Sequence, residues 1–231
     1  MRADNIHHVV INGGMQMNVN KFVIMCGGHY PHLKSPRQLW TINGETILAR
    51  TIRLLRAEGI NDIYISYNEP IFEEKALEYN VGVIKQDETE FKRWVDGAFP
   101  VLTEPICYIM GDVVFSPAAI KTIVETQTDD IEFFASGGQF HSDYIKQWAE
   151  PFAFKVVNYE HMAKAVKETR ELFDQKILQR CIAWELWQVI KHTDLNNIIV
   201  NYKVINDYTC DIDSNLDLED IRYKVNHGEI V

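Results

Sequence analysis

A few short patches carry the residues able to do chemistry. The first runs Cys26-Gly27-Gly28-His29-Tyr30-Pro31-His32-Leu33-Lys34-Ser35-Pro36-Arg37. Adjacent glycines let backbone N–H groups come close to a ligand phosphate. Lys34 and Arg37 add positive charge to the same loop, and a guanidinium can hold a phosphate through two parallel hydrogen bonds. The second patch is Met110-Gly111-Asp112, and the third is Tyr208-Thr209-Cys210-Asp211-Ile212-Asp213-Ser214. Mg²⁺ takes oxygen ligands, and nucleotide sites often hold it with one or two carboxylates plus substrate phosphates. Asp112 and Asp213 suit that task if their loops meet. Asp211 stands in reserve, because Asp211 and Asp213 share one face of an extended segment. The competing reading is structural, with Asp112 as a turn aspartate and the later acids as an N-cap cluster before the last helix.

Other chemistries lack their signatures. The chain has no G-x-G-x-x-G or G-K-[ST] phosphate loop, no H-E-x-x-H and no G-x-S-x-G elbow. Its cysteines, Cys26, Cys107, Cys181 and Cys210, are far apart with no C-x-x-C pair. A structural zinc site is therefore not expected, and free thiols in a reducing cytoplasm are.

These patches need a scaffold, and the pattern of apolar residues supplies one. Short apolar runs at 22–25 and 106–110 read as strands buried on both faces, and 63–65 and 81–84 read as further strands. Helical spacing follows at 47–55, closed by Gly59, and at 69–79 and 88–99. Asn43-Gly44 marks a turn. Pro117 starts a helix at its first position, running to about residue 126. Further strands are expected at 131–135, 152–157 and 198–204, two helices within 160–192, and a last helix at 216–225. Trp184, Leu186 and Trp187 read as helix packing. Alternating strands and helices predict a mainly parallel α/β sheet with ligands bound beyond the carboxyl ends of the strands. All the patches above fall in such loops.

Composition sets the outer limits. Among 231 residues, 23 are basic and 33 acidic, for a net charge of −10. Nucleic acid is therefore not expected as a partner, since phosphate backbones are met by a basic face. No apolar run reaches the length of a membrane span. Residues 1–14 have no long apolar core behind a basic end, so no secretory leader is expected. Residues 1–20 read as an N-terminal extension and residues 21–231 as a single domain.

The patches together resemble the nucleotidyltransferases with a glycosyltransferase-A-like fold. That family opens with a strand, Gly-Gly, a basic loop, Pro-Lys-x-Leu, a short strand, Asn-Gly and a helix. The parallels here are Phe22-Val23-Ile24-Met25-Cys26-Gly27-Gly28, Pro36-Arg37-Gln38-Leu39 and Ile42-Asn43-Gly44-Glu45-Thr46-Ile47-Leu48. The family lysine is Arg37 here, and the usual arginine of the glycine loop is missing, with His32 or Lys34 near its place.

The resemblance implies a Rossmann-like sheet flanked by helices and an enzyme that uses Mg²⁺. Asp112 and Asp213 match the family's metal aspartates. Arg37, Asp112 and Asp213 would form the catalytic set. Cys26, Gly27, Gly28, Lys34, Arg37, Gln86, Asp87 and Asp112 would hold the nucleotide, with Gln86 and Asp87 where the family often meets base or ribose. Lys155 would border the acceptor. The partners implied are a nucleoside triphosphate and a small phosphorylated acceptor, and an oligomer is compatible with them. The overall form looks most like cytoplasmic cytidylyltransferases that activate small phosphorylated alcohols for bacterial surface polymers. Sugar-1-phosphate nucleotidyltransferases come next. A glycosyltransferase using Asp211-Ile212-Asp213 as D-x-D, and a nucleotide-binding relative without catalysis, are the rival readings.

Overall fold

The computed structural model describes residues 19–28, 35–86, 91–137, 149–193 and 201–228. In chain order its elements are β1 (Lys21–Cys26), β2 (Thr41–Ile42), β3 (Glu45–Thr46), α1 (Ile47–Ala57), β4 (Asp62–Tyr67), α2 (Ile71–Tyr79), β5 (Gly82–Lys85), α3 (Val95–Ala98) and β6 (Ile106–Met110). Then follow β7 (Val113–Val114), α4 (Pro117–Glu125), β8 (Ile131–Ser136), β9 (Pro151–Val156), α5 (Tyr159–Asp174), α6 (Ala183–Ile190), β10 (Lys203–Ile205), β11 (Cys210–Asp211) and α7 (Asn215–Asn226).

The apolar run at 22–25 lies in the middle of the sheet, as a strand with no polar face must. β1 is buried beyond Lys21 and pairs in parallel with β4 on one side and β6 on the other. The full order is β10-β8-β9-β6-β1-β4-β5, flanked by the helices. Only β9 runs against its neighbours, β6 and β8. The sheet is therefore the expected mainly parallel, mixed α/β type. Its polarity gathers the carboxyl ends of β1, β4, β5 and β6 on one edge, and the chain enters β9 at that same edge.

Local chemistry explains the element ends. Thr46 caps α1 by accepting a hydrogen bond from the Ala49 N–H at 3.1 Å. Asn43 and Gly44 have φ of 50° and 83°, so the β2–β3 hairpin turns through two left-handed residues, the arrangement Asn-Gly favours. Trp187 and Leu186 are fully buried, as helix packing requires.

The helix expected over 88–99 is broken. Residues 87–90 lie outside the described residues, and Phe91–Arg93 is a 3₁₀ turn before the short α3. Here the Val95 N–H donates to the Cys181 carbonyl, and the Cys181 N–H donates to the Lys92 carbonyl. A distant segment thus takes backbone groups that a continuous helix would use itself. The strand expected at 198–204 is seen only as β10, since residues 194–200 lie outside the described part.

Two hydrophobic clusters hold the molecule. The larger follows the main sheet. The smaller joins Ile42, Ile47, Val114, Cys210, Ile212, Leu218 and Ile221, with Trp40 and Val225 against it. It ties the β2–β3 hairpin, the start of α1, β7, β11 and α7 into one corner. The segments that carry Arg37, Asp112 and Asp213 adjoin that corner. Ile212 is fully buried between Asp211 and Asp213. Ile212→Ala is expected to lower stability by about 2–4 kcal/mol, as measured by urea unfolding, because the cavity left cannot fully collapse.

Candidate active site

Arg37 is the centre of the site. It begins a 3₁₀ turn, Arg37–Leu39, placed by Pro36 just before it, and its side chain is only 6% exposed. One guanidinium nitrogen meets Asp112 Oδ2 at 2.8 Å. The other meets Asp213 Oδ1 at 2.6 Å and also donates to the Ile212 carbonyl at 2.9 Å. The two loops that sequence alone left unconnected therefore do meet, at a distance of one guanidinium. Two like charges converge here because a planar cation with a fork of donors sits between them.

Asp213 is available for that contact because another acid does the capping. Ser214 caps α7, its Oγ accepting from the Asp217 N–H at 3.3 Å. Asp217 Oδ2 in return accepts from the backbone N–H groups of Ser214, at 2.8 Å, and Asp213, at 3.1 Å. The N-cap reading of this cluster thus holds for Ser214 and Asp217. Asp213 turns its carboxylate to Arg37 instead.

Asp112 reaches the site because Gly111 has no side chain. The Gly111 N–H donates to the Met25 carbonyl at the end of β1, and a Cβ here would lie 2.5 Å from that oxygen. Gly27 makes a similar allowance for Gln86, whose Nε2 occupies the place of a Gly27 Cβ. The Gln86 backbone N–H donates to the Tyr67 carbonyl at 2.8 Å, while its side-chain Oε1 is buried with no hydrogen-bond partner among the described residues. Asn68, directly after β4, has a buried Oδ1 in the same condition. Cys26 is almost fully buried, and burial, with the Asp112 charge beside it, pushes its thiol well above the ordinary value. It stays neutral and contributes packing, not a thiolate.

The fold matches solved structures. An inositol-1-phosphate CTP transferase from T. maritima aligns over 92% of this chain and 98% of its own, with 15% identity and a TM-score of 0.55. The CTP:phosphocholine cytidylyltransferase of Streptococcus pneumoniae aligns over 90% and 100%, with 14% identity and a TM-score of 0.57. A 4-diphosphocytidyl-2C-methyl-D-erythritol synthase from Anaerococcus prevotii aligns over 90% and 96%, with 12% identity and a TM-score of 0.55. The chain has the nucleotidyltransferase fold. No protein-family model matches the chain, and no curated protein does.

Within that fold the expected residues divide. Arg37, Asp112 and Asp213 are brought together, and Cys26, Gly27, Gly28 and Gln86 lie along the same edge of the sheet. Gly28 has φ of 113°, a conformation open to glycine. Lys34 and Asp87 lie outside the described residues. Among the described residues no group of three or more His, Cys, Asp or Glu side chains is placed to hold a metal. Asp112, Asp211 and Asp213 thus form no such group of three. The remaining pair still fits Mg²⁺: both donors are carboxylate oxygens, both already face one positive charge, and the other coordination positions can fall to phosphates and water.

Lys155 is a correction. It lies on β9 opposite Cys107, near the start of β6 and so at the end of the sheet away from the site. It is 2% exposed and donates to the Val124 and Thr126 carbonyls at 2.9 and 2.6 Å. Burial lowers its pKa from the ordinary lysine value. The side chain closes the carboxyl end of α4, where a positive charge is favoured. A lysine in a strand run reads the same from sequence whether it points to a cleft or under a helix, because only the packing of α4 decides.

Glu150 and Asn68 had no sequence signal beyond their places beside strands. Both stand at the carboxyl edge described above. Glu150 is 4% exposed, and its Oε2 accepts from the Asp211 N–H at 2.9 Å.

Lys155→Met is expected to cost about 1–3 kcal/mol, through orphaned carbonyls at the end of α4. Its KM for any acceptor should stay within about twofold of wild type, since the side chain is remote from the cleft. Thermal unfolding and steady-state kinetics check the two halves separately.

Proposed function

We propose that this protein is a nucleotidyltransferase that joins a nucleoside triphosphate, CTP by preference, to a small phosphorylated acceptor and releases pyrophosphate. The observation that supports it best is the convergence of Asp112 and Asp213 on the buried Arg37, at the carboxyl edge of a sheet with the nucleotidyltransferase fold. A basic group and two hard oxygen donors in one place suit a triphosphate with its divalent cation. The solved structures of this fold include an inositol-1-phosphate CTP transferase and a CTP:phosphocholine cytidylyltransferase. In this proposal the product is an activated alcohol that serves as a precursor of bacterial surface polymers.

The chemistry needs few parts. A phosphate monoester has its second pKa near 6, so the acceptor oxygen is already an anion at neutral pH. That oxygen forms a bond to the α-phosphorus, the bond to the bridging α–β oxygen breaks, and pyrophosphate leaves with the electron pair. No general base or covalent nucleophile is required, which agrees with a site built from glycines, acids and an arginine. Rate enhancement then rests on alignment and on neutralising phosphate charge. Asp112 and Asp213 would hold Mg²⁺, which supplies positive charge to the phosphates. Arg37 and the Gly27–Gly28 amides would bind phosphate oxygens, and Lys34 would add a further positive charge. The buried Gln86 Oε1 favours a base that offers an exocyclic amine donor, as cytosine does through N4.

Arg37 has a second consequence. Arg37 contacts both carboxylates, so Arg37 and a metal ion compete for the same oxygens until a triphosphate draws the guanidinium away. The Arg37→Gln variant is expected to bind Mn²⁺ without nucleotide about three- to tenfold more tightly than wild type, by spin-resonance titration. Its turnover should fall by about 100-fold or more. Unchanged metal binding would refute the competition.

The function itself is tested by pyrophosphate release from ATP, CTP, GTP and UTP with Mg²⁺ and a panel of phosphorylated alcohols and sugar-1-phosphates. Activity is expected with CTP and at least one small phosphomonoester. Asp112→Asn and Asp213→Asn should each lower it by about 100-fold or more while remaining folded. Silence with every nucleotide, or release of nucleoside diphosphate from a nucleotide-sugar instead, would overturn the reading.

A further inference from the structure

We infer that Glu150 is a positioning residue of this site, a buried brace that sets the register of Asp213 against Asp112; the inference rests on the metal reading proposed above. Asp213 lies just past β11, a strand of only two residues whose partner is the equally short β7. Alternate backbone N–H groups of an extended segment point to opposite sides. The Ile212 N–H points towards the Asp112 carbonyl and donates to it at 3.0 Å. The Asp211 N–H points the other way, away from β7, and there Glu150 Oε2 receives it at 2.9 Å. The strip 211–213 is therefore held on both sides, by Asp112 and by Glu150.

The origin of the Glu150 side chain is itself fixed. Its N–H donates to Ser136 Oγ at 2.9 Å, and its carbonyl accepts from the Ser136 N–H at 2.9 Å. Ser136 is 1% exposed at the end of β8, and its carbonyl accepts from the Tyr202 hydroxyl at 3.1 Å. Glu150 thus links the large sheet, where β8 and β9 belong, to the small corner that carries Asp213. Burying a carboxylate beside the Asp211 backbone is costly in isolation. The acceptor it presents has a geometric use: it ties the Asp211 end of the strip to the large sheet, alongside the Arg37 and Asp217 contacts that hold Asp213 itself, and its loss loosens the approach of Asp213 to Asp112. Residues that orient metal ligands in this way commonly alter metal affinity when removed.

Glu150→Gln keeps an acceptor at the same reach, whereas Glu150→Ala removes it and Glu150→Asp withdraws it by one methylene. Two measurements on the full chain separate the brace from the metal reading. Hydrogen exchange at the Asp211 amide, without metal or nucleotide, should quicken by about tenfold or more in Glu150→Ala and stay within about twofold in Glu150→Gln. Mn²⁺ affinity in the presence of CTP should weaken by about tenfold in Glu150→Ala and stay within about twofold in Glu150→Gln, while CTP binding in EDTA is unaltered. Should Glu150→Ala not fold, Glu150→Asp carries both tests with the same expected direction. Unchanged exchange in the Ala or Asp variant, or a Gln variant as impaired as Ala, would overturn the brace. Faster exchange together with normal Mn²⁺ affinity would overturn its role at the site. A wild-type protein that binds no Mn²⁺ with CTP would refute the metal reading instead, and with it any positioning role for Glu150.

Discussion

One buried guanidinium organises the site. Asp112 and Asp213 are about a hundred residues apart in the chain, and their charges repel. They share a corner because Arg37, with a side chain 6% exposed, pairs with both at 2.6–2.8 Å. Arg37 is the buried member, while the Asp213 side chain is 59% exposed, so losing both acids would strand a buried cation, whereas losing Arg37 leaves carboxylates that water can reach. The first loop, the central strand and the C-terminal segment are therefore bound to one another electrostatically as well as by packing. A ligand that takes over part of Arg37 also changes the balance of charge on the two acids.

Packing brings these groups within reach. The small cluster around Ile212, Ile47, Val114 and Leu218 is apolar and separate from the main core. Its members come from four regions of the chain, and each region ends next to a polar residue of the site. Gly111 completes the approach, because any Cβ there would collide with the end of β1. The sheet supplies a rigid edge, and the corner supplies a second wall that is held by fewer bonds. Glu150 is one of the polar ties between them.

Much of the frame was legible in order of residues. The run at 22–25 read as a central strand, and β1 is one; Asn43-Gly44 read as a turn, and both residues adopt left-handed φ. Pro117 read as the first residue of a helix, and α4 begins there. The segment 88–99 read as a helix from its apolar spacing, yet Cys181 captures backbone groups on both sides of Trp94. Periodicity reports which faces are apolar, and it is blind to a distant carbonyl that competes for an N–H. Lys155 shows the same blindness for a side chain. Its neighbours in sequence are those of any strand, and the carbonyls it serves lie 29 and 31 residues away.

The sequence by itself determined the kind of fold, the loops able to carry chemistry, and the residue types in them. Those properties reside in local spacing: apolar runs, turn dipeptides, glycine pairs, and acids placed just after strands. Only the tertiary structure decided which groups act together. It put Asp213 rather than its capping neighbour Asp217 on Arg37, sent Lys155 beneath α4, and gave Asp211 an acceptor in Glu150. Each of these outcomes depends on contacts between segments far apart in the chain, up to 176 residues for Arg37 and Asp213. Such contacts are set by how the sheet and the small cluster pack, and no local pattern of residues encodes the distance between two loops.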